Sequence, residues 1–387
     1  MNRPVSHLLA VSPNWLGDAV MALPAIADMR RAFPSAALTV AARFSVADVF
    51  TLAPLVDRVV TLEWTGRWWQ RGAMQADAAR LRALGADAAI LLPNSFAAAW
   101  LVWQAGVRER WGFSTDMRGR LLTRAVPRPP GSRHQGAYYQ YLTRELDIDS
   151  GPLEPAVTVS PDLAKAARDL LAARGWDAST PFVALAPGAA YGGAKRWTPS
   201  HVARLASALA GDRRVPCVLV GSRADAASVR EIEAAIDPAA RAHVLNLAGE
   251  TTVPMLAGVL EAAAACVAND SGAMHLAAAV GTPVVAIFGP TSEYVARPLT
   301  REGRRAEVLT HDVWCRPCLL RECPIDHRCM KGITPDRVLE SVLRHAGLQS
   351  GPSVGSARPQ SGPSVRSARL QPGPSVRSPR LQPGHDA

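Results

Sequence analysis

Three short segments of the chain combine residue types that bind phosphate or move protons. In Ser12-Pro13-Asn14-Trp15-Leu16-Gly17-Asp18 an apolar run ends, a turn follows, and a helical pattern begins near Gly17. Gly17 lets the backbone come close to a ligand. Asp18 falls at the start of the helix, where a carboxylate can act as general base toward a hydroxyl or serve as a helix cap. In the second segment, Gly188 to Trp197, a glycine-rich loop runs into Lys195 and Arg196 ahead of a capped helix. Free backbone N–H groups plus a lysine suit a diphosphate. It is not a Walker A loop, because the lysine comes one place late and no Ser or Thr follows, and no GxGxxG fingerprint occurs. The third segment, Asn269-Asp270-Ser271-Gly272-Ala273-Met274-His275, follows an apolar run and opens another helix. The N–H groups of Ser271 and Gly272 can face a phosphate with the helix dipole behind them. His275 lies one turn on, on the same side as Ser271. Asp270 would repel a bare phosphate, so orienting loop donors, a ribose hydroxyl or a sugar suits it better. An acidic turn in one half of the chain and two anion-friendly turns in the other make a layout for moving a group off a diphosphate onto an acceptor.

Such turns need a scaffold that brings strand ends together. The chain alternates short apolar runs with helical patterns, the signature of an α/β protein with parallel sheets. His7–Val11, Ala37–Ala41, Val59–Leu62 and Ala88–Leu92 read as strands, with helices over Asp18–Ala32, Ala73–Leu84 and Phe96–Gln104. A second series has strands at Phe182–Leu185, Pro216–Val220, Val244–Leu247, Ala264–Ala268 and Pro283–Ile287. Thr198-Pro199 and Thr334-Pro335 each offer an N-cap hydroxyl followed by proline at the first helical position. Two such series predict two doubly wound, Rossmann-like domains with ligands at the carboxyl ends of the strands, in the cleft between them. The expected division is 1–165, 166–346, and a disordered repeat tail over 347–387. From Gln349 the chain repeats with a period of 11 in Pro, Gly, Ser and Arg, too polar to bury a core.

Composition fits this reading. The 387 residues are 48% hydrophobic and 20% charged, as in an ordinary globular protein. No stretch reaches the ~18–20 apolar residues of a membrane span. The first apolar run leads straight into a turn without a small-residue cleavage site. The expected compartment is the cytoplasm. The net charge of +10 suits an anionic substrate or membrane surface as readily as it reflects a preference for arginine. Trp68-Trp69, between Arg67 and Arg71, hints at a nucleic-acid or a membrane-surface contact, and no nucleic-acid partner is expected. Cys217 and Cys266 sit in apolar runs and read as buried thiols. Cys315, Cys318, Cys323 and Cys329 could ligate zinc, but their spacing is not that of paired CxxC motifs. Reduced thiols packing a long loop are expected, with no metal.

Asn14 to Asp18, Pro93-Asn94-Ser95-Phe96, Trp111-Gly112-Phe113, Lys195-Arg196-Trp197 and Asn269 to His275 together resemble the heptosyltransferase family, glycosyltransferase family 9. Gly289-Pro290-Thr291 and Cys315 to Met330 resemble its type II branch. The resemblance covers about residues 7–346. It implies a GT-B fold and inverting transfer of L-glycero-D-manno-heptose from ADP-heptose to the first heptose of heptosyl-Kdo2-lipid A. It also implies no cofactor and no obligatory metal, in keeping with the lack of a DxD-type motif near the donor loops. Position by position, it implies Asp18 as general base and Lys195 as the diphosphate lysine. Gly188, Asp270, Ser271, Gly272 and His275 fall on the donor side. Asn14, Asn94 and Ser95 fall on the acceptor side, where Arg118 and Arg120 can meet lipid-core phosphates. Near the ribose the family often has an acid; here Gly221-Ser222-Arg223-Ala224-Asp225 leaves Asp225, Ser222 or Arg223 for that place. Another GT-B nucleotide-sugar enzyme with a different acceptor is the alternative. Because the acceptor's anchor lies in the bilayer, contact with the inner membrane would be peripheral at most.

Overall fold

The computed structural model describes residues 5–301 and 303–348. The repeat tail from Gln349 lies outside them. The first sheet contains β1 (His7–Val11), β2 (Ala37–Arg43), β3 (Arg58–Leu62), β4 (Ala88–Leu91), β5 (Glu109–Phe113) and β6 (Arg124–Val126). Helices α1 (Leu16–Ala32), α2 (Phe44–Thr51), α3 (Arg71–Ala83), α4 (Phe96–Gln104) and α5 (Gln135–Glu145) belong with it, and α6 (Pro161–Ala173) follows. The second sheet contains β7 (Val183–Ala186), β8 (Cys217–Leu219), β9 (Val244–Asn246), β10 (Ala265–Asn269), β11 (Val284–Phe288) and β12 (Ala306–Thr310). Its helices are α7 (Pro199–Ser207), α8 (Ala226–Ala235), α9 (Pro238–Arg241), α10 (Val253–Ala262), α11 (Gly272–Val280), α12 (Glu293–Ala296), α13 (Arg328–Lys331) and α14 (Pro335–His345).

The two sheets share one topology. The first runs β3-β2-β1-β4-β5-β6 and the second β9-β8-β7-β10-β11-β12, and every pairing is parallel. In such an order the chain reverses direction across the sheet once, between β1 and β4 and again between β7 and β10. At that point the loops diverge and leave a crevice at the carboxyl ends of the strands. The central strands are apolar throughout and fully buried, as in VALA of β7 and VVAIF of β11; a parallel sheet covered on both faces requires this. One core runs from the first sheet through α1 to α11 and the second sheet. Two smaller cores fill the outer faces, under α3 and α4 on one side and α7 and α14 on the other.

Local signals explain most boundaries. Ser95, Ser160, Thr252 and Thr334 each accept a backbone N–H in the first turn of the helix they open, worth ~1 kcal/mol apiece. The expected Thr198 cap differs: proline stands at the first turn of α7, but the Thr198 hydroxyl is buried without a partner. The expected division at 165/166 would cut α6, which is continuous and packs along α10. Gly258 of α10 makes the close approach, since a Cβ there would lie 2.8 Å from Ala167 Cβ.

Candidate active site

Each segment singled out in the sequence lies at a reversal point. Asn14 to Asp18 follows β1, and Pro93 to Ser95 follows β4. Gly188 to Lys195 follows β7, and Asp270 to Gly272 follows β10. The two halves meet where α1 and α11 begin. A Cβ on Gly17 would lie 2.8 Å from His275 Cδ2 and 3.7 Å from Gly272 Cα; one on Gly272 would lie 2.7 Å from Leu16 Cβ. No methyl fits on either side. Two positive helix ends therefore share one small region.

Asp18 occupies the first turn of α1 but caps nothing, because the N-cap is Trp15 and no side chain completes it. Burial raises the Asp18 carboxyl to about 6; a hydrogen bond from Tyr139 and the charge of Lys195 oppose the rise, and Asp270 adds to it. The Tyr139 hydroxyl stands 3.4 Å from Asp18 Oδ1 and is itself fully buried, so its pKa rises well above the phenolic range. Burial likewise lowers His275 to about 4, leaving a neutral imidazole at pH 7. A carboxylate with a pKa near 6 is ionised at neutral pH yet basic enough to accept a proton.

On the other side, Lys195 Nζ lies 2.7 Å from Asp270 Oδ2, which also accepts the Thr291 hydroxyl at 2.6 Å. The ammonium also sits 4.8 Å from the centre of the Tyr191 ring. Asn269 ties the two loops together, donating to Pro187 O at 2.6 Å and accepting from Trp197 N at 3.1 Å. The Ser271 hydroxyl is buried without a partner at the start of α11. Gly188 lies against Asp225, whose carboxyl would be 2.6 Å from a Cβ there. The cysteine-bearing segment reinforces the glycine-rich loop. Arg321 O accepts from Ala194 N at 2.9 Å, Glu322 from Gly193 N at 2.9 Å, and Leu319 O from Tyr191 at 2.8 Å. All six cysteines are free thiols. Among the described residues no three His, Cys, Asp or Glu side chains gather as metal ligands.

The structure brings Asp18, Lys195, Asp270, Ser271, Gly272 and His275 to one place. Asn94 follows β4, the strand paired with β1, with its carbonyl accepting from Thr115 at 2.8 Å and its side-chain oxygen from Tyr138 at 3.1 Å. Ser95 caps α4, Asn14 is half-buried before α1, and Arg120 is exposed. Two expectations change. Arg118 is fully buried and donates to the carbonyls of Pro93, Ser95 and Phe113; it fastens the loop after β4 and meets no solvent phosphate. Asp225 is already held by Ser222 N at 3.0 Å, by the Ser222 hydroxyl at 2.6 Å and by Arg196 at 3.3 Å. It therefore shapes the floor of the loop instead of standing open to a ribose. Tyr139 and Thr291, which position the two acids, carried no assigned role in the sequence reading. The aromatic run Tyr138-Tyr139 was the only signal for the first.

Comparison with known proteins places the chain in a family. The model of glycosyltransferase family 9 (heptosyltransferase) matches residues 75–328. Lipopolysaccharide heptosyltransferase 2 of Escherichia coli K12 is 30% identical over 343 residues, covering 87% of this chain and 97% of its own. Lipooligosaccharide heptosyltransferase 2 of Haemophilus influenzae is 29% identical, covering 87% and 98%. The solved structure of E. coli ADP-heptose lps heptosyltransferase II superposes with a TM-score of 0.75 at 29% identity, covering 88% of this chain and 98% of that one.

Proposed function

Since the chain belongs to glycosyltransferase family 9, the heptosyltransferases, we propose that it transfers L-glycero-D-manno-heptose from ADP-heptose to the first heptose of heptosyl-Kdo2-lipid A, with inversion. One observation carries the reading: Gly17, the neighbour of Asp18 at the start of α1, lies directly against Gly272 and His275 of α11, beside the paired Lys195 and Asp270 of the second half. A base and a phosphate site must face each other this way for a single in-line displacement. Asp18 takes the proton of the acceptor hydroxyl, whose oxygen bonds to the anomeric carbon as the bond to the diphosphate breaks. Lys195 and the N–H groups of Ser271 and Gly272 at the start of α11 receive the charge of the leaving ADP. Lys195 leaves Asp270 for the phosphates when donor binds, and Thr291 keeps Asp270 in place. Neutral His275 packs behind Gly17 and holds the two helix ends in register.

The halves divide the substrates, with the acceptor on the β1–β6 side beside Asn14, Asn94 and Ser95, and the donor on the β7–β12 side beside Gly188. We place the division before Ser160, so that α6 stays with α10. The lipid-borne acceptor calls for a peripheral contact with the cytoplasmic face of the inner membrane. Among the described residues no helix is long and apolar enough to cross a membrane.

The test is single-turnover transfer from ADP-heptose to heptosyl-Kdo2-lipid A by the native chain and by Asp18→Asn. Loss of the base is expected to cost ~10²–10⁴-fold in rate while ADP binding persists. Equal rates would leave Asp18 without a catalytic part. ADP binding with no transfer by either protein would overturn the acceptor and favour another nucleotide-sugar enzyme.

A further inference from the structure

The carboxyl rim of the first sheet carries large apolar side chains in water. Strands β1 to β5 run parallel, so the loops that follow them lie along one edge. In sheet order these loops hold Trp68 and Trp69 after β3, Phe44 after β2, Phe96 after β4 and Met117 after β5. Trp68 is 74% exposed, Phe44 82% and Met117 94%. The loops touch: a Cβ on Gly66 would lie 3.5 Å from Ala97 Cβ and 3.7 Å from Arg43 Nη2, and Phe96 N donates to Asp116 at 2.5 Å.

The tryptophan loop is firmly built. Asp77, buried on α3, accepts from Glu63 N at 3.0 Å and Trp64 N at 2.7 Å. Gln70 accepts from Thr65 N at 3.1 Å and from its hydroxyl at 2.6 Å, and Arg43 donates to Thr65 O at 2.7 Å. Trp64 is turned inward, with its indole N–H on Arg67 O at 2.9 Å. This scaffold holds two indoles outward, packed edge to face at 5.7 Å, with the Arg67 guanidinium over Trp69. Burial of apolar surface drives folding, so an ordered loop that exposes a tryptophan pair marks a contact surface.

Its charge points to the partner. Apart from the buried Arg118, segments 43–45, 63–71, 93–97 and 114–120 contain Arg43, Arg67, Arg71 and Arg120 against Glu63 and Asp116. Glu63 is paired with Arg80 at 2.9 Å and Asp116 is turned onto Phe96 N, while Arg67, Arg71 and Arg120 are exposed. Exposed indoles among arginines match the interfacial layer of an anionic bilayer, where indole rings settle at headgroup depth and each cation adds ~1 kcal/mol.

We propose that this rim docks on an anionic lipid bilayer, with Trp68 and Trp69 entering the headgroup layer. The inference rests on the lipid-borne acceptor proposed above and assigns the residues that meet the membrane. The rim adjoins Asn94 and Ser95, so docking there sets the acceptor side of the cleft against the lipid surface.

The test compares the full-length native chain with the double variant Trp68→Ser/Trp69→Ser, the C-terminal repeat kept in both. Each is sedimented with vesicles of phosphatidylcholine alone or mixed with phosphatidylglycerol. The native chain is expected to bind the anionic vesicles, less tightly as salt rises, and the variant to lose roughly 10-fold or more in partition. Thermal melting and transfer to a deacylated, water-soluble acceptor should be unchanged. A native chain that stays in solution, or a variant that binds as well as native, overturns the proposal. So does a variant that binds empty vesicles normally but fails only on acylated acceptor, for then the indoles grip the acceptor's lipid. Vesicle binding is read without any transfer, so failure of the heptosyl assignment would show separately, as no product from the native chain.

Discussion

Asp18 carries a free-energy cost that follows from its place. Its carboxyl titrates at about 6 in the fold against 3.8 in a free chain, chiefly through burial. The folded state therefore holds the proton more tightly than the unfolded state between those values. The stability this contributes is complete below pH 3.8 and lost as pH rises through about 6. At pH 8 the ionised group opposes folding by up to ~3 kcal/mol, less the share that water reaches. Asp18→Asn should accordingly melt higher than native at pH 8, and thermal scans should bring the two together toward pH 4. Native kcat/KM should rise as pH passes upward through about 6; a melting difference that ignores pH would place the carboxyl in a wetter site. The residue's position was legible because an acid in the first turn after an apolar strand has few places to go. Its pKa was not, because burial, which raises it most, is set by elements far along the chain, and Tyr139, whose hydrogen bond opposes the rise, lies 121 positions away. Arg118 was misread for a related reason: sequence alone does not tell a phosphate-seeking guanidinium from one that satisfies three buried carbonyls.

Strands were legible where their run is apolar, at an edge as in β3 and β9 as well as at the centre. The central strands announced themselves as apolar runs and were placed within a residue or two, whereas β5, β6 and β12 escaped. ERWGF, RAV and AEVLT mix charged and apolar residues, and β6 and β12 are edge strands with one neighbour each. The abutting helix ends were also invisible, since Gly17 and Gly272 read as local turn residues. Gly272→Ala tests that contact, because its methyl would lie 2.7 Å from Leu16 Cβ and must part the helices. Overpacking should cost ~1–3 kcal/mol. A displacement approaching 1 Å at the reacting atoms can lower kcat/KM about 10²-fold. Gly72→Ala, with nothing within 4 Å, should leave transfer intact. Steady-state kinetics beside melting curves would separate the two, and equal rates for both variants would remove the contact from the mechanism.

At the scale of the molecule, two copies of one topology face each other through α1 and α11, with Lys195 and Asp270 on one copy and Asp18 on the other. A nucleotide that fills the seam should stabilise the whole chain. At ~100-fold above its dissociation constant ADP adds ~2.7 kcal/mol. Lys195→Ala should raise the ADP needed for the same thermal shift by ~10-fold, in line with a lost charge-assisted bond. An unchanged ADP titration would confine Lys195 to neutralising Asp270. The two-sheet plan was legible from alternating strands and helices, but the packing of α6 on α10 was not, because it turns on Gly258, a contact without a pattern in sequence. The glycine seam has a last consequence. The gap between the starts of α1 and α11 is gauged by two bare glycines, Gly17 lying against the His275 ring and Gly272 against Leu16, neither of which has a side chain of its own to rearrange. Loops around the cleft can change length while that ruler stays fixed, and an exchange of whole halves between relatives would carry the spacing of the two helix starts with it wherever both glycines are present, the spacing on which the proposed displacement depends.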